Sequence, residues 1–100
     1  MSNLDSQIQT FLGVARLGSF RRAADELCVT QAAVTSRIKG LEDYLGFPVF
    51  HRHRRGAKLT EQGERFIDYA RNAIDTIEQG REVARRATSY RAHYRFMSQF

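Results

Sequence analysis

Between His51 and Lys58 the chain sets Arg52, Arg54, Arg55 and Lys58 beside two histidines, with no acid among the eight residues. With neither a nucleophile nor a carboxylate, the chemistry open to this cluster is electrostatic. On a projecting turn its cations can grip phosphates or enter a narrow minor groove. A second group, Gln31, Ala32, Thr35, Ser36 and Lys39, offers an amide, two hydroxyls and little bulk, again without an acid. On a helix that enters the major groove by its N-terminus, Gln31 is able to pair with adenine, and Ala32 and the Thr35 methyl to pack on thymine methyls. Arg21 and Arg22 make a third group. Cations in the first turn of a helix oppose its dipole unless an anion lies near, and Ser19 and Thr30 join them as candidate phosphate contacts at two helix starts. Each group by itself also reads as ordinary solvated surface. Their conjunction points to a nucleic acid.

Charge agrees with that direction. Sixteen Lys and Arg against eleven Asp and Glu leave +5 over 100 residues, and arginine supplies fourteen of the sixteen cations. A guanidinium fork suits phosphate and guanine edges better than a point charge does. Other chemistry finds no footing. His51, His53 and His93 have no carboxylate or nucleophile at a linking spacing, so no catalytic residue and no cofactor are expected. A zinc site on His51 and His53 lacks ligands, because Cys28 is the only thiol. That single cysteine excludes an internal disulfide and fits a reducing cytoplasm; at a tight turn it is expected to be small and buried. No apolar run reaches bilayer length, and Met1 to Gln7 lack the basic start and apolar core of a secretory signal. The expectation is a cytoplasmic protein held at the nucleoid through DNA, with no membrane partner.

The elements that must position these groups can be read from spacing. Leu4, Ile8, Phe11, Leu12 and Ala15 predict a first helix over Leu4 to Leu17, stopped by Gly18. Ser19 caps a short second helix whose buried stripe is Phe20, Ala23, Ala24 and Leu27, ending near Cys28 and Val29. Thr30 caps a third, with Val34, Ile38, Leu41 and Leu45 inward and Gly46 and Pro48 at its end. Two short helices across a tight turn, with alanines at the crossing, are a helix-turn-helix signature. Val49-Phe50 and Ala57-Lys58-Leu59 then predict two short strands around a tip at His53-Arg54-Arg55-Gly56. Thr60 caps a long fourth helix predicted to run from Glu61 to Ser89, about 44 Å at the standard rise.

On that helix Phe66, Ala70, Ala73, Ile77, Gly80, Ala84 and Ala87 alternate steps of four and three, a heptad seam of mostly small residues. Ile67, Tyr69, Ile74 and Val83 lie beside it. The seam predicts a homodimer through the long helix. Glu61 with Arg65 and Glu82 with Arg86 add i,i+4 support of about 0.2–0.5 kcal/mol each.

The fold class expected is therefore mainly α with a small β-hairpin wing. A winged helix-turn-helix occupies residues 1–59 and a linker and dimerisation helix residues 60–89. Residues 90–100 form a tail or the start of a linker to an absent domain. The main alternative is a winged-helix module that binds protein or RNA through the same surfaces; an acidic or apolar wing would have favoured it.

The chain resembles the N-terminal domain of the LysR-type transcriptional regulators. The pattern runs through Phe11, Gly18-Ser19-Phe20, Ala23-Ala24, Leu27, Val29-Thr30-Gln31, Ala33-Val34-Thr35, Ile38, Leu41-Glu42, Leu45-Gly46, Val49-Phe50, Arg52, Leu59-Thr60 and Gly63. The resemblance implies a bacterial regulator that binds interrupted palindromes in double-stranded DNA as a dimer, with a tetramer open to a full-length form. By position it gives major-groove reading to Gln31, Ala32, Thr35 and Ser36, and minor-groove insertion to Arg52 and Arg55. Relatives often carry proline where this chain has Ala32, and a long basic or amide side chain where it has Ser36. They continue into an effector-binding domain, so no small-molecule site is expected in these hundred residues.

Overall fold

The computed structural model describes residues 3–87, in which four helices follow in order: α1 (Leu4–Leu17), α2 (Phe20–Leu27), α3 (Gln31–Leu45) and α4 (Glu61–Arg86). Each begins where a short polar side chain satisfies an amide of the first turn. Asn3 accepts from the Ser6 N–H, Ser19 from Arg22, Thr30 from Ala33 and Thr60 from Gly63, at 2.9–3.2 Å. Caps of this kind contribute about 1 kcal/mol each. The first helix stops at Gly18, whose φ of 69° lies in the left-handed region that glycine enters without a Cβ penalty.

The first three helices pack on one another around Phe11, Val14, Val34 and Leu41, all fully covered. Ala23 and Ala24 are buried where α2 crosses the core, as their size suggested. Aromatic rings extend the core outward. Phe11 lies 5.6 Å from Phe50 and 5.7 Å from Phe66, and Phe50 meets Phe20 edge-on at 5.6 Å. One cluster of rings thus joins α1, α2, α4 and the loop after α3.

That loop departs from the expected hairpin. Among the described residues there is no strand: Phe50 and Leu59 form a single antiparallel bridge, with His51 N–H donating to Lys58 O at 2.9 Å. The reason lies one residue further on. Ala57 N–H donates to Gly18 O at 3.0 Å instead of across the loop, so the ladder cannot lengthen. The loop is closed at its root and leans on the turn between α1 and α2.

Cys28 is also a correction. It is exposed, not buried, and follows α2 at φ 58°, the one non-glycine residue with positive φ among those described. The turn needs a left-handed residue there, and the side chain then points away from the helices.

The long helix ends at Arg86, with Ala87 following it; Ser89 and the tail at 90–100 lie outside the described residues. Gly63 in its first turn is required by a close approach: a Cβ there would stand 2.4 Å from Val49 O. Among the described residues no helix is long and apolar enough to cross a membrane.

Candidate nucleic-acid interface

Opposite the buried stripe of α3, Gln31, Ala32, Thr35, Ser36 and Lys39 are all exposed. The helix is held in that aspect from behind. Val34, Ile38 and Leu41 are buried in the core, while Arg37 reaches back to Thr10 Oγ1 on α1 at 3.4 Å. Gln31, Thr35, Ile38 and Glu42 form one row along α3, and this row floors a cleft of about 410 Å³. Its walls are the start of α2, with Ser19, Phe20 and Arg21, and the loop after α3, with Arg52, Arg54 and Gly56. The structure therefore brings members of three separately read groups to one place, while Ala32, Ser36, Lys39, Arg22, Thr30, Arg55 and Lys58 are not among the residues that line the cleft. Ser19 and Thr30 sit at the helix starts as expected, their oxygens accepting the capping amides; each hydroxyl proton remains a donor.

The distribution of ion pairs distinguishes this face from the rest of the molecule. Every arginine of α4 lies near a carboxylate of the same helix: Arg65 with Glu61, Arg71 with Asp68, Arg81 with Glu78, and Arg85 and Arg86 with Glu82. Arg21, Arg22, Lys39, Arg54, Arg55 and Lys58 have no such partner among the described residues, and all six are exposed. Of these six, Arg21 and Arg54 line the cleft, where their potentials add.

Arg52 is different. It pairs with Glu42, whose carboxylate is only 7% exposed and also accepts the Val49 N–H at 2.8 Å. Reading the sequence grouped Arg52 with the other wing cations and gave Glu42 no role. An acid on the same row as Gln31 and Thr35 was the available signal, since it would repel a phosphate unless neutralised. His51 and His53 are exposed, and among the described residues no group of three metal-binding side chains converges.

The model of the bacterial regulatory helix-turn-helix proteins of the lysR family matches residues 6–64. The chain belongs to the LysR family. Among similar proteins, the HTH-type transcriptional regulator HdfR of Salmonella newport (strain SL254) is 45% identical over 78 residues, covering 77% of this chain and 28% of HdfR. The chain spans less than a third of the length of the curated relatives it matches. Its fold is shared with the BenM DNA-binding domain in complex with catB site 1 DNA, at a TM-score of 0.80 and 30% identity over 85% of this chain and 94% of that one. A complex of the CbnR DNA-binding domain with DNA gives 0.80 and 31%, over 84% and 97%. In this LysR-family chain the family match stops in the first turn of α4, so the long helix must be read on its own residues.

There the expected seam divides. Phe66 and Ala70 are turned toward α1, with Ala70 1% exposed and the Phe66 ring against Phe11. Both were expected at a partner's surface, but the heptad face and the face that packs on the domain coincide, and α1 covers its first two turns. Beyond α1 the same face emerges. Ala73, Ile77, Gly80 and Ala84 are exposed, Ile77 at 61%, and Ala87 is half-buried.

Proposed function

We propose that this chain binds duplex DNA with sequence preference and serves as the operator-binding part of a bacterial transcriptional regulator. The start of α3 enters the major groove, where Gln31, Ala32, Thr35 and Ser36 meet base edges and Lys39 meets the backbone. Arg54 and Arg55, at the tip of the loop, reach the flanking minor groove. Arg21, Arg22, Ser19 and Thr30 contact phosphates on either side. The observation that carries this reading is the contrast in charge: Arg21 and Arg54 line the α3 cleft without a carboxylate partner among the described residues, while every arginine of α4 pairs within its own helix. Relatives of the same fold solved on DNA support it.

The division of labour follows the chain. Residues 1–59 bind DNA and residues 60–89 link and dimerise, through Ala73, Ile77, Gly80, Ala84 and Ala87 rather than the whole heptad row. Two copies then present two reading helices to an interrupted palindrome, in the cytoplasm.

Selection of bound sequences from a random duplex library tests the proposal. We expect a short half-site, recovered in two copies at fixed spacing, with preference strongest under Gln31 and Thr35. Recovery of no sequence, or equal retention of duplex, RNA and single strands, would refute it.

A further inference from the structure

Glu42 is an acid on the row that reads bases, in a cleft whose other charged lining residues, Arg21, Arg52 and Arg54, are cations. Three features explain its presence. Its side chain is 7% exposed, so the charge is withdrawn from the cleft. One carboxylate oxygen accepts the Val49 N–H at 2.8 Å, an amide that follows Pro48 and has no backbone partner there. The other oxygen pairs with Arg52, which is half-exposed on the far side of the cleft. The acid thereby links the end of the reading helix to the root of the loop at two points ten residues or fewer away in sequence. A single hydrogen bond would act as a hinge. Two oxygens of one planar group, held on different residues of the same short segment, fix an angle.

We infer that Glu42 is a positioning residue that sets the angle of the arginine tip relative to α3, and that it acts through Arg52, which is thereby withdrawn from contact with DNA. Arg52 serves as a brace, and the reach into the flanking groove falls to Arg54 and Arg55, which have no carboxylate partner among the described residues. The remaining links of the loop do not duplicate this brace. Ala57 N–H on Gly18 O ties the descending limb to the α1–α2 turn, while His51 N–H on Lys58 O, Thr60 N–H on Val49 O and the Thr60 hydroxyl on Pro48 O tie the two limbs together at the root. None of these joins the ascending limb to α3.

This inference rests on the DNA-binding reading proposed above, and its test separates the two. Glu42→Gln, Arg52→Gln and the double variant are made in the full chain, and each is profiled by selection from the random duplex library beside wild type. Glu42→Gln keeps an acceptor for Val49 N–H and removes the charge that holds Arg52. We expect discrimination at the flanking, minor-groove positions to fall about tenfold in each single variant, the size of losing one reading contact. Preference at the bases under Gln31 and Thr35 stays within twofold. A merely structural role would lower retention evenly at both sets of positions. We expect the double variant to lose no more than the worse single, because both substitutions cut one link. Arg52→Gln alters a half-exposed side chain and carries the test if Glu42→Gln does not fold. Full flank discrimination in Arg52→Gln, or a double loss equal to the product of the singles, overturns the inference while leaving DNA binding intact. Wild-type protein that selects no duplex overturns both.

Discussion

Gly63→Ala is the substitution whose outcome the structure determines most sharply. The added methyl would lie 2.4 Å from Val49 O and 3.1 Å from Leu59 Cδ2. An ordinary carbon–oxygen contact needs about 3.3 Å, so the carbonyl must retreat by roughly 0.9 Å. Val49 cannot retreat cheaply. It is fully buried, its carbonyl accepts Thr60 N–H at 2.9 Å and its own N–H is held by Glu42. Overpacking of this kind costs about 1–3 kcal/mol, with about 1 kcal/mol more if the Thr60 bond lengthens. Against that, alanine gains at most about 1 kcal/mol in helix propensity. The net expectation is a loss of about 2 kcal/mol, seen as a midpoint about 10 °C lower in thermal unfolding. Gly13→Ala supplies the control, because a Cβ at Gly13 in α1 meets nothing within 4 Å. There the propensity gain stands alone, at about +1 kcal/mol. Urea unfolding of both variants at one matched protein concentration reads the difference, the concentration being fixed because a dimer's apparent stability depends on it. Two variants moving in the same direction would show that the approach of α4 to Val49 is not tight, and the account of the loop root would be withdrawn.

Other expectations are shorter to state. Cys28→Gly relieves an exposed residue in the left-handed region, and should raise stability by about 0.5–1 kcal/mol in the same urea assay; a loss would mean that the thiol makes a stabilising contact. With about four phosphate contacts in each of two copies, binding measured from low to moderate salt should fall with a log–log slope near −7, and a flat response would remove the cation face from the mechanism. Arg55→Ala should weaken binding most on sites with a narrow minor groove; equal loss on all sites would make it a phosphate contact only. Ile77→Asp should leave the folded monomer unchanged, since the side chain is 61% exposed, and raise the dimer dissociation constant about tenfold or more by sedimentation. An unchanged dimer would move the interface off this face.

The parts of the fold that were legible in the sequence are those decided within a few residues. Ser19, Thr30 and Thr60 cap the helices that follow them because a side-chain oxygen two to three residues ahead of an amide is a local matter. The inward stripes of α2 and α3 likewise follow from spacing, whereas in α1 Leu4 is exposed and the fully buried Val14 lies outside the stripe that spacing marked. What spacing misread was settled by partners distant in the chain. The strands at Val49-Phe50 and Ala57-Leu59 shrink to one bridge because Gly18, far upstream, takes the Ala57 donor. Phe66 and Ala70 fit a heptad and also fit the flank of α1, and only the folded domain chooses between those uses. Cys28 at positive φ carries no sequence signal, since turns of that conformation favour glycine or asparagine. Within the site, the reading row and the tip arginines were visible as types. The pairing of Arg52 was not, because a cation in a basic run does not announce which acid it will meet.

Val49 is where these separate facts meet. Its N–H belongs to Glu42 on the reading helix, and its carbonyl to Thr60 at the start of α4. Its side chain is fully buried, and the next residue, Phe50, sets its ring at a tilt to Phe11 and edge-on to Phe20. α3, the arginine loop and α4 therefore meet at one buried residue. If two copies read two half-sites as proposed, the link through Val49 ties the placement of each long helix to that of its arginine tip. Among the described glycines, the one at which an added Cβ would come nearest a neighbour is Gly63, against Val49 O at the root of the loop.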